Sequence, residues 1–133
     1  MACRTRSNKK LFVYKEMKSK LTLENTDRIE SESIKVDGCE INDKSIRCDF
    51  LHIAKNIEFY IELKGQDLEH ALNQIRTTIS RLSKDVKIYN KKSYIICTRS
   101  PLSSTEIQNY KREFKKNYNS ELIIKSSPHS DKY

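Results

Sequence analysis

The feature that most restricts the fold of this chain is the stretch from Ser45 to Lys64, where two β-rich runs, Ile46–Ile53 and Ile57–Lys64, are separated only by Ala54-Lys55-Asn56. Two such runs across so short a polar break predict a β-hairpin. In the second run Ile57, Phe59, Ile61 and Leu63 alternate with Glu58, Tyr60, Glu62 and Lys64, which sends the apolar set to one face and the polar set to the other. After Gly65 the period changes. Leu68, Leu72, Ile75, Ile79 and Leu82 recur at spacings of three and four, with Asp67 placed as an N-cap, and predict a helix.

The flanking sequence extends this frame. Leu11, Tyr14, Met17 and Leu21 fall near one side of a predicted first helix over residues 8–20. Ser31 to Val36 suggests a strand that ends at the turn pair Asp37-Gly38. The compact run Ser93–Thr98 predicts a buried strand, and Ser103 with Glu106 forms a capping box for a helix carrying Ile107, Tyr110, Phe114 and Tyr118. A short strand over Glu121–Lys125 precedes a polar tail, residues 126–133, with no compositional reason for order. The order helix, strand, hairpin, helix, strand, helix, strand implies a three-layer α/β domain over residues 1–125, a mixed central sheet flanked by helices. A chain of 133 residues suits one such core.

Charge is distributed unevenly along the chain. Residues 1–20 carry seven basic and one acidic side chain, residues 21–80 seven and twelve, and residues 81–133 twelve and five. An acidic centre between basic flanks is what carboxylates around a divalent cation and Lys or Arg on phosphates would produce, although solvated charge runs produce it too. The first-helix set Lys9, Lys10, Lys15 and Lys18 and the last-helix set Lys111, Arg112, Lys115 and Lys116 are the candidates for phosphate contact with a nucleic acid. No run approaches a membrane span, and the N-terminal residues lack a secretion signal's apolar core, so a soluble cytoplasmic protein is expected. Cys3, Cys39, Cys48 and Cys97 lie far apart with no CxxC pair and are read as reduced thiols. With only Gly38 and Gly65 there is no Gly-rich phosphate loop, so no nucleotide cofactor is expected.

If the hairpin turns between Lys55 and Asn56, cross-strand partners sum to 111 in residue number, and Asp49 falls opposite Glu62. Cys48 then faces Leu63, Phe50 faces Ile61 and His52 faces Phe59 on an apolar face, while the two carboxylates share the other. Carboxylates so placed repel unless a cation compensates, and Mg²⁺, which favours oxygen ligands, would suit them. Lys64 lies two residues past Glu62 on the same face, near where a metal-bound water would be. A solvent-facing Glu62–Lys64 ion pair on an amphipathic strand is the plainer reading of that triplet alone.

Arg47-Cys48-Asp49, a hairpin, then Tyr60-Ile61-Glu62-Leu63-Lys64-Gly65 and an amphipathic helix resemble the PD-(D/E)XK nuclease superfamily over roughly residues 8–99, with Cys48 where that motif has proline. The resemblance implies a restriction-endonuclease-like αβββαβ core and hydrolysis of phosphodiester bonds dependent on Mg²⁺, with Mn²⁺ able to substitute. Asp49 and Glu62 would be the metal ligands and Lys64 would sit beside the attacking water. It further implies an acidic residue from the first helix, Glu16 or else Glu24, with Glu16 otherwise an ordinary partner of Lys20. Gln74 would lie near the scissile phosphate and His70 is a neighbour one turn earlier, though both also fit exposed helix positions. DNA is the expected substrate, cut in repair, recombination, restriction or defence, by a homodimer or with a partner protein supplying specificity. A catalytically silent nucleic-acid-binding or assembly subunit of the same fold and an RNA-directed nuclease are the alternatives.

Overall fold

The computed structural model describes residues 2–63, 67–98 and 103–133. Its centre is the expected hairpin, β5 (Phe50–Ala54) and β6 (Ile57–Leu63), paired Phe50↔Ile61, Leu51↔Tyr60 and His52↔Phe59. The turn is two residues long, because Ala54 still pairs with Ile57, and Lys55 and Asn56 take φ of 53° and 59°. Left-handed residues at both turn positions give the backbone twist that matches the flanking strands.

Around this hairpin β4 (Ser31–Lys35) pairs antiparallel with β5, and β1 (Arg4–Ser7) antiparallel with β4. On the other side β7 (Lys91–Cys97) lies parallel to β6, and β8 (Ser120–Ser126) parallel to β7. The result is a mixed six-stranded sheet in the order β1-β4-β5-β6-β7-β8. Helix α1 (Leu68–Leu82) connects β6 to β7 and α2 (Ser104–Tyr118) connects β7 to β8, each capped as expected, by Asp67 and by the Ser103–Glu106 box. Two consecutive crossovers of one hand bring both helices to one face. There Leu72, Ile75, Ile79 and Phe114 pack on Leu51, Tyr60, Ile95 and Leu122.

The opposite face departs from expectation. Residues 8–20 form no helix; they supply β2 (Leu11–Glu16) and the start of β3 (Ser19–Glu24), an antiparallel hairpin turning at Met17 and Lys18. The three-and-four spacing was coincidental. Leu11 and Met17 are 49% and 78% exposed, whereas Phe12, Tyr14, Leu21 and Leu23, which alternate by two, are buried. Helices therefore do not flank the central sheet on both sides. Its second face is covered by the sheet β2-β3-β9, whose Phe12, Tyr14, Leu21 and Leu23 meet Phe59, Ile61, Leu63, Tyr94 and Ile96. A strand covered on both faces has no wet side, so Glu58 and Glu62 of β6 are buried as well.

The segment expected to be a disordered polar tail is ordered too. β9 (His129–Lys132) pairs parallel with β3, and the Tyr133 hydroxyl reaches Ser31 Oγ at 2.7 Å and His52 Nε2 at 2.8 Å. The other ring nitrogen, Nδ1, bonds the Tyr14 hydroxyl at 2.6 Å. Main-chain pairing and this network, rather than apolar content, order the segment.

The cysteines also differ from their reading, since Cys3 and Cys39 form a disulfide with Cα atoms 5.6 Å apart, leaving Cys48 and Cys97 as buried thiols. The partners are 36 positions apart in sequence, and the pairing follows from β1 lying beside β4, whose end leads into the Cys39 turn. Cysteine usage thus gives no support to a reducing compartment. Among the described residues no helix is long and apolar enough to cross a membrane.

Candidate metal and phosphate site

The site forms where the β4–β5 connection, the end of β6 and the first turns of α1 meet. The amides of Val36 and Asp37 both donate to the Asp49 carbonyl, at 3.0 and 3.2 Å. Two residues opposing one is the hydrogen bonding of a β-bulge, which bends the chain and shifts its alternation. On its other side the Asp49 amide donates to the Ile61 carbonyl at 3.1 Å, so the regular pairing ends at Phe50↔Ile61 and Asp49 is not a ladder partner of Glu62. The alternation slips accordingly. Cys48 belongs to the helix-side cluster while Phe50 and Leu63 face the small sheet, so Cys48 does not face Leu63 as expected.

The carboxylate of Asp49 nevertheless reaches the end of β6, where its Oδ2 accepts the Leu63 amide at 2.8 Å. Glu62 lies on the helix side of β6, beside Ile95 of β7. Asp49 is 4% exposed and Glu62 3%, and both border one cavity of about 280 Å³. Asp37, Lys44, Ser45, Ile46, Arg47, His70 and Gln74 complete its lining.

Polar side chains of α1 fasten the loop that carries Asp49. Gln74 Nε2 donates to the Arg47 carbonyl at 3.1 Å, and Thr78 Oγ1 accepts the Cys48 amide at 2.8 Å while donating to the Gln74 carbonyl. Arg81 Nη1 bonds Asp43 Oδ2 at 3.0 Å and Ser45 Oγ at 2.9 Å. Hydrogen bonds from Ser45 and Arg81 hold the Asp43 carboxyl down at about 2. Within the loop Arg47 Nε pairs with Asp37 Oδ1 at 2.9 Å, and its Nη1 donates to the carbonyls of Asp43 and Ser45.

Burial, with a smaller contribution from the Glu62 and Asp49 charges, pushes the Cys48 thiol up to about 12. It is a protonated packing group and not a nucleophile. Among the described residues no three His, Cys, Asp or Glu side chains gather as a metal-holding group; of the acids that line the cavity, Asp37 is paired with Arg47, and Asp49 and Glu62 are the two buried ones.

Comparison with protein-family models, with curated proteins and with solved structures finds no match in any of the three. The site therefore stands on its own geometry.

Of the residues singled out from sequence, Asp49, Glu62 and Gln74 come together, and His70 joins them. Lys64 lies outside the described residues. Glu16 and Glu24 sit on β2 and β3, in the layer behind the central sheet, and neither borders the cavity. Lys9, Lys10, Lys15 and Lys18 belong to that same layer, as lead-in, strand and turn. Lys111, Arg112, Lys115 and Lys116 lie exposed on α2, where Lys111 and Lys115 border a separate recess with Ser120, Glu121 and Leu122. The cations that do line the cavity, Lys44 and Arg47, were not among the sequence candidates. Their closeness in sequence to Asp49 was the available signal. Asp37 was read only as part of a turn.

Proposed function

We propose that this protein is a Mg²⁺-dependent nuclease hydrolysing phosphodiester bonds of DNA. In this reading β4, β5, β6, α1 and β7 are the βββαβ part of a restriction-endonuclease-like core, and the β2–β3 hairpin replaces the helix expected before it. The observation that carries the proposal is that Asp49 and Glu62, contributed by different elements and both buried, border one cavity walled by Gln74 of α1.

The donor set fits a hard cation. Two carboxylates supply the charge, Gln74 and Ser45 add neutral oxygens, and the neighbouring Cys48 thiol stays protonated. Mg²⁺ is commonly held by one or two carboxylates and completes its shell with waters and phosphate oxygens; Mn²⁺ suits the same donors. Asp49 and Glu62 would hold it, and when bound it supplies a polarised phosphate and an activated water.

The other roles belong to the chain's own groups. The Leu63 amide keeps the Asp49 carboxylate turned toward β6. Gln74 and Thr78 brace the Arg47–Cys48 backbone against α1, so that the two carboxylates keep their spacing. Lys64 is assigned, on the resemblance alone, to orient the attacking water. A second copy or a partner protein would supply the second cut of a duplex and its specificity.

The test is incubation with supercoiled, linear and branched DNA, and with RNA, in Mg²⁺ or in EDTA, beside Asp49→Ala, Glu62→Gln and Lys64→Ala. Cleavage that requires the metal and all three side chains is expected. Cutting indifferent to Asp49→Ala and Lys64→Ala overturns the site. Binding without cutting in any divalent metal favours the silent nucleic-acid-binding subunit, and cutting confined to RNA reassigns the substrate.

A further inference from the structure

The two cations of the cavity differ in what they are already doing. Arg47 is committed, with Nε on Asp37 and Nη1 on the carbonyls of Asp43 and Ser45. It is a strut that shapes the loop. Lys44, on the same wall, is exposed, and among the described residues no carboxylate or carbonyl receives its ammonium. The loop bearing it is fixed to α1 through Arg81, Gln74 and Thr78, so its stem is held at the rim although its head is in water.

From α1 the cavity is bordered by His70, exposed in the first turn of that helix. Gln74 is four residues on, and side chains four apart in a helix share a face. The bond from Gln74 to the Arg47 carbonyl turns that face toward the loop, and His70 with it. The cavity thus has the carboxylates of Asp49 and Glu62 and, on two different bordering elements, the nitrogen donors Lys44 of the β4–β5 connection and His70 of α1.

We infer that Lys44 and His70 are substrate-binding residues that grip backbone phosphates of a polynucleotide on either side of the one seated over Asp49 and Glu62. This inference rests on the nuclease reading of the same site. It moves phosphate recognition from the basic groups of β2 and α2 to the cavity rim. Such contacts read the backbone and not the bases, so binding is independent of sequence and weakens with salt. Lys44 acts by charge, and His70 by a ring N–H donated to a phosphate oxygen.

The test uses the full chain and a fluorescently labelled single-stranded DNA. Its anisotropy is titrated in EDTA over a series of NaCl concentrations, and KM and kcat are then measured in Mg²⁺. Lys44→Ala is expected to weaken binding several-fold and to lower the slope of log K against log salt by roughly 0.7, the share of one phosphate contact on a single strand. Lys44→Arg restores the slope. His70→Ala weakens binding, and His70→Gln, which keeps a donor, recovers part of it. In Mg²⁺ both alanine variants raise KM more than they lower kcat. Melting temperatures stay at the wild-type value, because both side chains are exposed.

Unchanged affinity and slope in Lys44→Ala overturn the inference, as does a loss of slope confined to Lys15→Ala or Lys111→Ala. If cleavage then still depends on Asp49, the clamp falls and the nuclease reading stands. If the wild-type protein neither binds nor cuts any polynucleotide, both fall together.

Discussion

Glu58 and Glu62 lie on one strand, on one face, four residues apart, and each is 3% exposed. At the Glu58 end every lead goes into structure. Its carboxylate accepts the Tyr60 hydroxyl at 3.0 Å, the Ser83 hydroxyl at 2.7 Å and the Lys84 amide at 2.9 Å, and so closes the end of α1 onto the sheet. At the Glu62 end the carboxylate borders a cavity, with Asp49 beside it and a braced loop above. The difference teaches that a buried acid is not in itself a sign of chemistry. What sets Glu62 apart is a second carboxylate from another element and space for a ligand between rigid walls.

The comparison is open to experiment, and its largest expected effect is on activity. Asp49→Ala or Glu62→Gln should reduce Mg²⁺-dependent cleavage by more than about 100-fold, since changing even the partners of metal ligands costs about 10–100-fold. Glu58→Gln should leave cleavage near wild type, and equal losses at both glutamates would erase the distinction. On stability the order reverses. Glu58→Ala removes the acceptor of three donors, the buried Tyr60 hydroxyl and two at the partly buried end of α1, and should cost about 3 kcal/mol in urea unfolding, whereas the isosteric Glu62→Gln should change stability much less.

Reduction of Cys3–Cys39 tests whether the loop end of the site is held from outside. Opening a crosslink between residues 36 apart should cost roughly 3–4 kcal/mol, read as a fall in melting temperature on adding a dithiol. Acid tests the other layer. Burial pushes His52 down to about 3, so it stays neutral in the folded protein while the unfolded chain protonates it near its ordinary 6.5. Its contribution is therefore complete above pH 6.5 and is lost as pH falls toward 3, by at most about 1.4 kcal/mol per pH unit. His52→Phe should flatten that part of the pH–stability curve without altering the metal dependence of cleavage. The smallest effect is expected at Thr78→Val, which removes the bond holding the Cys48 amide. It should cost about 1 kcal/mol, measured by urea unfolding, and a cost near zero would show that Gln74 and Arg81 brace the loop unaided.

The parts of this fold that were legible in the sequence are those whose signals are local. The β5–β6 register follows from alternation and a two-residue turn, and both helices announce themselves through Asp67 and the Ser103–Glu106 box. Residues 8–20 carried two periodicities at once, and only contact with Phe59 and Ile61 decides for Phe12 and Tyr14 over Leu11 and Met17. The disulfide, β9 and the His52 network join residues distant in sequence and leave no local trace. At the candidate site strand alternation points to Glu62, whereas Asp49 follows only from a cross-strand register that the bulge breaks and Gln74 only from the resemblance. The bulge at Asp49 was not, since nothing in Val36-Asp37 marks two residues that share one acceptor. Lys44 and Arg47 stand singly in an acidic stretch, without the clustering that marks Lys9-Lys10, Lys111-Arg112 and Lys115-Lys116.

The parallel pairing of β3 with β9 sets Leu21 against His129, 108 residues along the chain. Closing so long a loop costs entropy before any contact rewards it. The crossover units β6-α1-β7 and β7-α2-β8 are assembled from neighbours in sequence, so on the ribosome the helix-covered face that holds the cavity has its parts ready first. The small sheet is completed only when residues 129–132 have emerged, and until then Phe59, Ile61 and Leu63 wait for the third strand that finishes their cover.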